Sequence, residues 1–361
     1  MRVCGPGGGP GVTIGGGAPI SVQSMTNTRT ADVGATLAQV RSLAEAGADL
    51  VRVAVPTRAD TAALARIVKE SPVPIIADVH FHFERALEAI RAGAAKIRLN
   101  PGNISDRRQV RRVIAAAAGA GVAIRVGVNE GSVVERKEGP RRAADLARPL
   151  HELMAGKLAQ YLETFQEADF HDLVLSAKSH DAVTCVAANR LIARRCDYPL
   201  HLGVTHAGTP ATGAIRSAAA LGALLGEGIG DTIRISYAGD PVEEVKAGTE
   251  LLCSLRLRPR RGVELIACPT CGRVQMDIAA IAEEVRFALA GVTAPISVAV
   301  MGCVVNGPGE AEGADVAICA GKGKAVLYRR GVKVRTVGAG EIVDAIVKEV
   351  RRLAGECSRG S

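Results

Sequence analysis

Three cysteines near the end of the chain have the residue type and spacing of metal ligands. Cys268 and Cys271 lie in the string A-C-P-T-C-G, and Cys303 follows in M-G-C-V-V-N-G-P-G-E. No second C-x-x-C is present, and no histidine stands at zinc-finger spacing. Glycines around both strings allow the close backbone approach that inorganic sulfide needs. These features favour an iron–sulfur cluster, while a zinc ion and a redox dithiol remain open.

A three-cysteine centre leaves one coordination position for a different ligand. Glu310 lies in the same glycine-rich loop as Cys303 and is the natural candidate for the remaining iron. A carboxylate is a hard ligand that exchanges readily, so a substrate could displace it. The sequence therefore predicts a metal centre with one position open to chemistry.

A second set of polar side chains lies at the ends of predicted strands earlier in the chain. Five of these strands each supply an arginine or a lysine. Burying so many cations together is costly unless an anion neutralises them, and guanidinium groups match phosphate oxygens. We therefore predict a phosphate or diphosphate site. Its members are Arg52, Asp78, His80, Arg98, Asn100, Arg125, Asn129, Ser176, Lys178, Thr205, His206, Arg234 and Ser236.

Two members of this set, Asp78 and His80, are expected to have roles other than binding the anion. Asp78 is its lone acidic group, and we expect it to orient an arginine or to hold a substrate hydroxyl. His80 is read first as a core histidine.

The elements that must position this set alternate between short β-branched runs and longer helical stretches. Eight such pairs predict an α/β chain whose first part is a (β/α)8 TIM barrel, preceded by a hairpin over Val12–Gly17 that plugs its bottom. No G-x-G-x-x-G follows the first strand, which disfavours a dinucleotide-binding sheet. The strands are predicted at Ile20–Met25, Asp49–Val55, Pro74–Val79, Lys96–Asn100, Ala123–Val128, Asp172–Lys178, Leu200–Thr205 and Thr232–Tyr237. The carboxyl ends of such strands meet at one face, so the polar set should line the barrel mouth.

A basic connection, L-R-L-R-P-R-R-G, interrupts the barrel pattern and indicates a domain boundary. We predict a barrel domain over residues 1–255, a smaller α+β domain that carries the cysteine loops over 256–354, and a tail over 355–361. Within the smaller domain, strands are predicted at Glu264–Ala267, Ile296–Val300, Val316–Ala320, Ala325–Arg329 and Val332–Val337, and helices at Asp277–Ala290 and Ala339–Leu353.

Composition disfavours several classes of protein. The formal net charge is +8, but the basic residues are dispersed and aromatic residues make up only 2%, which argues against a nucleic-acid partner. No apolar run approaches the roughly 18 residues of a membrane span, and no signal segment is present, so we expect a cytoplasmic protein. The other cysteines are expected to be reduced core or tail residues, at Cys4, Cys185, Cys196, Cys253, Cys319 and Cys357.

Several strings resemble the 4-hydroxy-3-methylbut-2-enyl diphosphate synthase family of the non-mevalonate isoprenoid pathway. The resemblance runs from about residue 12 to 350 with the motifs in order. The strings are P-I-S-V-Q-S-M-T-N-T, V-R-V-A-V-P-T, K-I-R-L-N-P-G-N, R-V-G-V-N-E-G-S, E-G-I-G-D-T-I-R-I-S, A-C-P-T-C-G-R and G-C-V-V-N-G-P-G-E.

The resemblance implies an oxidoreductase with a 4Fe-4S cluster in the C-terminal domain. Such an enzyme reductively opens 2-C-methyl-D-erythritol 2,4-cyclodiphosphate to the linear allylic diphosphate, with electrons from flavodoxin or ferredoxin. It also implies a head-to-tail homodimer in which the cluster of one subunit serves the barrel mouth of the other.

Carried over by position, the resemblance assigns cluster ligation to Cys268, Cys271, Cys303 and Glu310, and places Asn306 of the cluster loop toward the partner's substrate. Substrate contacts fall on Arg52, Asp78, Arg98, Arg125, Asn129, Lys178, Arg234 and Ser236. One position departs from the family: the usual T-E-A-G is T-H-A-G here, so that His206 stands where an acidic residue is expected. An imidazole can still hydrogen-bond a substrate, but it cannot supply the same negative charge.

Two other functions are compatible with parts of the sequence. A barrel transferase for a phosphorylated or pterin substrate would carry zinc in its cysteine module and would absorb no visible light. A simple electron carrier would contain a cluster but would not need the cationic barrel mouth.

Overall fold

The structure is a computed structural model that describes residues 1–4, 11–100, 104, 106–133, 148–303, 305 and 307–357, except for the side chains of residues 132, 310 and 357. Within it the chain divides into two compact units, Met1–Arg258 and Pro259–Ser361. In the described part of the chain, no helix combines the length and the apolar character needed to cross a membrane.

The first unit is built around eight parallel strands, which confirms the predicted barrel. The strands are β3 Ser21–Met25, β4 Leu50–Ala54, β5 Ile75–Val79, β6 Lys96–Leu99, β7 Ala123–Asn129, β8 Leu173–Lys178, β9 His201–Leu202 and β10 Thr232–Ile233. Each of β3 to β7 pairs with the next strand along the chain, β10 pairs with the other side of β3, and β9 pairs with β10. A bridge between Leu175 and Leu200 joins the two ends of this order and closes the barrel.

The last two strands are much shorter than the sequence predicts. Regular pairing stops after Leu202 and Ile233, although single backbone hydrogen bonds continue, from Arg234 N to Leu202 O at 2.9 Å and from Thr205 N to Ser179 O at 3.1 Å. The residues that follow Leu202 and Ile233 leave the regular strand pairing, and several of them line the mouth. A run of β-branched residues in the sequence does not show where regular pairing stops.

Helices follow the barrel strands and pack their apolar faces on the outside of the barrel. Several begin at a side-chain cap, such as the capping box of Thr57 and Asp60, which satisfies the first backbone N–H groups. The helices are Val33–Glu45, Arg58–Glu70, Phe83–Arg91, Arg107–Ala120, Glu130–Val133, Leu150–Gln166, Ala182–Ala193, Pro210–Gly226 and Pro241–Ser254.

Side chains alternate between the two faces of each barrel strand. In β4, Val51 and Val53 pack in the main apolar core, whereas Arg52 lies between them on the inward face and lines the mouth. This alternation, read over all eight strands, is what brings the predicted polar set to one place.

An apolar floor closes the other end of the barrel. Val3 and Ile14 are fully buried there against residues near the strand starts, including Leu50, Ile76 and Val174. A backbone hydrogen bond from Ile14 N to Met1 O at 2.8 Å holds the first residue beside Ile14. The chain start therefore covers the end opposite the mouth.

The hairpin predicted within Val12–Gly17 is wrong in its pairing. Val12–Thr13 (β2) pairs antiparallel with Arg2–Val3 (β1), ten residues earlier, and not with the residues that follow it. Gly15, Gly16 and Gly17 all have positive φ angles, of 80°, 64° and 77°, so this stretch turns and cannot form the second arm.

The second unit is a five-stranded sheet with helices on one face. The first three strands are parallel and the last two pairings are antiparallel. The strands are β11 Glu264–Ala267, β12 Ser297–Met301, β13 Val316–Gly321, β14 Lys324–Arg329 and β15 Val332–Gly338. Helices span Ile278–Ala288, Gly307–Glu310 and Ile342–Cys357, with a 3₁₀ turn at Ala339–Glu341.

Apolar residues on the two faces of this sheet form two separate clusters. Helices Ile278–Ala288 and Ile342–Cys357 cover the larger cluster. The smaller cluster lies around Met301, Ala311 and Cys319. Cys268 contacts both clusters, so the loop that begins at Cys268 is supported from both faces of the sheet.

Candidate active site

The mouth of the barrel encloses a cavity of about 290 Å³ that is lined by polar and mostly cationic side chains. Twelve of its thirteen lining residues are members of the polar set found in the sequence. They are Arg52, Asp78, His80, Arg98, Asn100, Arg125, Asn129, Ser176, Lys178, Thr205, Arg234 and Ser236, and the thirteenth is Met25. The structure thus brings together all eight barrel residues to which the resemblance assigns substrate contacts.

Asp78 is the acidic centre of the mouth. Its carboxylate lies 3.2 Å from Nη1 of Arg98, 3.7 Å from Nε of Arg52 and 3.5 Å from Nε2 of His80. Burial alone would raise the pKa of Asp78, but the charges of the two arginines and the hydrogen bond from His80 outweigh it and hold the pKa well below its ordinary value. Asp78 therefore stays ionised and orients two guanidinium groups, which is one of the two roles the sequence suggests.

Several cations of the mouth are buried with little compensation. Arg125 is 1% exposed and Lys178 is 8% exposed, and burial, aided by neighbouring positive charges, lowers the pKa of each well below its ordinary value. Burial likewise lowers the pKa of Arg52, to about 10, although Asp78 opposes the shift. The folded barrel holds these cations together at an electrostatic cost.

Some donors of the mouth lack a partner among the described residues. Nε and Nη1 of Arg125, Nε of Arg98 and Nε of Arg234 are buried and make no hydrogen bond in the described part of the chain. Buried donors are almost always satisfied in folded proteins. An anion with several oxygen acceptors would satisfy these donors and offset the charge in one step.

Two residues of the mouth escaped sequence reasoning. Met25 accepts hydrogen bonds at its Sδ from Nε and Nη2 of Arg52, at 3.1 and 3.0 Å, and from Nη1 of Arg234 at 3.5 Å. Glu244, which is buried, accepts from Nη2 of Arg234 at 3.4 Å and from Tyr237 N at 3.0 Å. The sequence analysis missed Met25 because it carries no charge, and it missed Glu244 because this residue lies on a helix and not at a strand end.

A third omission is the polar layer beneath the mouth. Gln23, Lys96 and His201 are 0–1% exposed and each has a side-chain nitrogen without a hydrogen-bond partner among the described residues. Burial, with the nearby positive charge of Arg125, lowers the pKa of Lys96 and of His201 well below their ordinary values. The alternation of inward and outward side chains along the strands could have predicted this layer.

His206 lies beside the mouth rather than in its lining. It borders a more open cavity of about 480 Å³, which shares Thr205 and Ser236 with the mouth. Its φ angle of 52° places the backbone in the left-handed region, which is uncommon for a residue other than glycine.

In the second unit, Cys268 follows strand β11 and lies against the loop that carries Cys303. Its Sγ accepts a hydrogen bond from Gly302 N at 3.0 Å. A Cβ atom added at Gly302 would stand 3.1 Å from that sulfur and 2.9 Å from Val274, so a larger residue would crowd this approach. An N–H group donating to cysteine sulfur is the environment that an iron–sulfur centre requires.

Cys271 and Cys303 lie closer to solvent. Cys271 is exposed and Cys303 is half-buried. The N–H group and the side chain of Arg273 lower the pKa of the Cys271 thiol, which favours the thiolate that binds metal. In the described residues, no three His, Cys, Asp or Glu side chains are grouped so as to hold a single metal ion. The cysteines of a cluster bind different irons, so they need not converge on one point.

Two predicted residues of the cluster loop cannot be placed in detail. Asn306 lies outside the described residues, and Glu310 is described only as the last residue of the short helix Gly307–Glu310, without its side chain. Ligation by Glu310 and a substrate contact by Asn306 therefore stay predictions.

Comparisons with known proteins identify both units. A model of the GcpE TIM-barrel domain matches residues 10–249, and one of the GcpE protein C-terminal domain matches residues 264–352. A 4-hydroxy-3-methylbut-2-en-1-yl diphosphate synthase (flavodoxin) from Acidothermus cellulolyticus is 50% identical, over 96% of this chain and 87% of its own. The enzyme of that name from Geobacter sulfurreducens is 48% identical, over 96% of both chains.

Among solved structures, a dihydropteroate synthase from Coxiella burnetii aligns with 71% of this chain and 98% of its own, at 13% identity and a TM-score of 0.49. The two family matches together span nearly the whole chain. The chain therefore belongs to the GcpE family, whose relatives cited above are 4-hydroxy-3-methylbut-2-en-1-yl diphosphate synthases.

Proposed function

We propose that this chain catalyses the reductive ring opening and dehydration of 2-C-methyl-D-erythritol 2,4-cyclodiphosphate to (E)-4-hydroxy-3-methylbut-2-enyl diphosphate. The reaction consumes two electrons and releases the lost oxygen as water. The observation that carries this proposal is the barrel mouth, where buried guanidinium donors have no hydrogen-bond partner in the part of the chain that the structure describes. The names of two relatives at about half identity supply the reaction.

The diphosphate of the substrate binds on the cations of the mouth. Unpartnered donors of Arg98, Arg125 and Arg234 supply hydrogen bonds to phosphate oxygens, and Lys178 adds a positive charge from the neighbouring strand end. Because the anion offsets the cost of burying these cations, part of the binding free energy comes from relief of their mutual repulsion.

The other residues of the mouth fix the orientation of the substrate. Asp78 holds Arg52 and Arg98 in place, and Glu244 holds Arg234. Asn129 and Ser236 are polar groups of the same cavity that can contact the hydroxyl groups of the carbon skeleton. Such positioning lowers the barrier because the reacting bond is held in one geometry. His206, at the edge, is proposed to hydrogen-bond the substrate without supplying negative charge.

We further propose that Cys268, Cys271, Cys303 and Glu310 hold a 4Fe-4S cluster. The sulfur environment of Cys268 and the lowered pKa of Cys271 support this assignment. When bound, the cluster would supply the low-potential, one-electron chemistry that protein side chains lack. Flavodoxin is the proposed donor because it appears in the names of the relatives, and ferredoxin is the alternative.

The test is turnover by protein purified and reconstituted without oxygen. We expect bound iron and sulfide, visible absorbance, and conversion of the cyclodiphosphate when a chemical reductant supplies electrons. Zinc without visible absorbance would favour the transferase alternative, and a cluster without turnover would favour an electron carrier.

A Glu310→Ala variant tests the fourth ligand. It should retain most of its iron, because three cysteines remain, and should lose most of its turnover. Full activity in this variant would contradict the assignment.

The proposed homodimer is head-to-tail, so that the mouth of one copy works with the cysteine loops of the other. Mixing an Arg125→Met copy with a Cys303→Ala copy should then restore part of the activity that each lacks alone. If the mixture exchanges subunits and remains inactive, each copy works by itself. Asn306, proposed to reach the partner's substrate, can be tested in the same mixtures.

A further inference from the structure

Glu130 joins the ends of two neighbouring barrel strands through its carboxylate. It follows strand β7 directly, and it accepts hydrogen bonds from residues that follow strand β8. One oxygen accepts from the hydroxyl of Ser179 and from His180 N at 3.1 Å, and the other contacts Nδ1 of His180 at 2.7 Å. We call Glu130, Ser179 and His180 the rim clamp.

Three connections of the rim clamp lead to residues of the mouth. Asn129 directly precedes Glu130, and Lys178 directly precedes Ser179. Asn129 and Lys178 are paired with each other in the register of β7 and β8. The carbonyl oxygen of Ser179 also accepts from Thr205 N at 3.1 Å. Asn129, Lys178 and Thr205 all line the cavity, so the clamp fixes three successive strand ends.

The clamp also fixes the start of the next helix. The hydroxyl of Ser179 accepts from Asp181 N at 3.1 Å, and Asp181 caps helix Ala182–Ala193 by accepting from Thr184 N at 2.8 Å. A carboxylate at position 130 thus restrains the backbone on both sides of Ser179.

The carboxylate suits this role because it is ionised and partly shielded from water. Its side chain is 24% exposed. Burial would raise the pKa of Glu130, but the hydrogen bonds from Ser179 and His180 outweigh that effect and lower it. Ser179 is fully buried, so loss of the carboxylate would remove the acceptor of its hydroxyl group, which costs free energy.

We propose that Glu130 is a positioning residue, which holds Lys178 and Asn129 where they meet the diphosphate substrate. This inference rests on the proposed function of the mouth. The side chain of Lys178 is long and flexible, and its charge does not select one side-chain conformation. The position of its backbone therefore decides where the ammonium group can reach, and Glu130 sets that position.

The experiment compares the kinetics of four variants of the reconstituted enzyme. Glu130→Ala should lower kcat/KM for the cyclodiphosphate by about tenfold, mainly through KM, since binding is affected in ground and transition states alike. Glu130→Gln keeps one carbonyl acceptor and should fall between Glu130→Ala and the unaltered chain, and His180→Ala should have a smaller effect. Glu227→Gln is the matched control, because Glu227 bonds only Arg190 on the outer surface in the described structure.

A merely structural role makes a different prediction. In that case Glu130→Ala would lower the unfolding temperature but leave KM unchanged for the folded fraction, and this outcome would overturn the proposal. Binding of inorganic diphosphate to the same variants separates this question from the proposed function. If the unaltered chain fails to convert the cyclodiphosphate, the function fails, but a clamp that positions Lys178 still predicts a weaker diphosphate affinity for Glu130→Ala than for Glu227→Gln.

Discussion

The barrel mouth and the cysteine loops differ in how far their geometry is fixed by the fold. The side chains of the mouth stand on buried strands, and Arg125 and Asp78 are 1% and 3% exposed. In the cysteine loops, Cys271 is exposed and Cys303 is half-buried. The fold itself therefore forms the mouth, whereas the proposed metal centre would contribute to the order of the cysteine loops. Removing one side chain from the mouth should therefore affect only the contacts of that side chain, whereas removing one cysteine should affect the whole proposed metal centre.

Replacing Cys303 by Ala should produce the largest effect. Loss of one of three cysteine ligands should prevent stable assembly of the cluster, so that iron content, visible absorbance and turnover fall together to background. Cys196→Ala is the control, since Cys196 lies in the first unit, where its Sγ donates to the Ile192 carbonyl. Retention of a full cluster in Cys303→Ala would contradict the ligand assignment.

Replacing Arg125 by Met should be the next largest effect, and it should leave the cluster intact. A hydrogen bond to a charged group contributes about 1.5–3 kcal/mol, which corresponds to roughly 10- to 150-fold in kcat/KM. Iron content should remain that of the unaltered chain, and diphosphate affinity should fall in parallel with kcat/KM. The exposed Arg190→Met serves as the control; an Arg125→Met variant with normal diphosphate affinity would place the anion elsewhere.

The electrostatic cost of the empty mouth can be measured as a dependence of stability on pH. Because the pKa of Lys178 is lowered in the folded barrel, the unfolded chain binds more protons between that pKa and the ordinary value of 10.5. This group therefore makes the free energy of unfolding rise as pH increases toward 10.5 and contributes nothing further above it. Denaturant unfolding of Lys178→Met without ligand should show a shallower rise than the unaltered chain, and equal slopes would disprove the cost.

Substitution of His206 should have the smallest effect of the series. His206 borders the outer cavity and can contribute one hydrogen bond of about 1 kcal/mol, which is roughly fivefold in rate. His206→Gln should therefore lower kcat by less than about tenfold, measured under saturating substrate. A loss as large as that of Arg125→Met would show that the imidazole belongs to the reacting group of residues.

The sequence predicted the geometry of the barrel mouth in more detail than that of the cysteine loops. The cations of the mouth follow from alternation, since Arg52 or Arg98 stands on the inward face of a strand whose neighbours are apolar. Met25 and Glu244 could not be found in this way, because their roles come from contacts with arginines that are distant in sequence. The cysteine motifs were visible as strings, but a string does not fix the loop geometry around them.

The fold was predictable to the level of its elements. Strand β11 was placed at the correct residues, and the eight barrel strands were found in order. The pairing of Val12 with Val3 was missed because a two-residue strand carries little pattern and its partner lies across a loop. The early ends of β9 and β10 could not be predicted from local propensity, which does not encode where regular pairing with a neighbouring strand stops.

The apolar floor made by Val3 and Ile14 has a consequence for kinetics. Because both residues are fully buried against the strand starts, the described residues leave the barrel interior no second exit on that side. Substrate and product must then pass through the same opening in turn, and both carry a diphosphate. The linear diphosphate should accordingly be a competitive inhibitor of the forward reaction, so that flux slows as product accumulates.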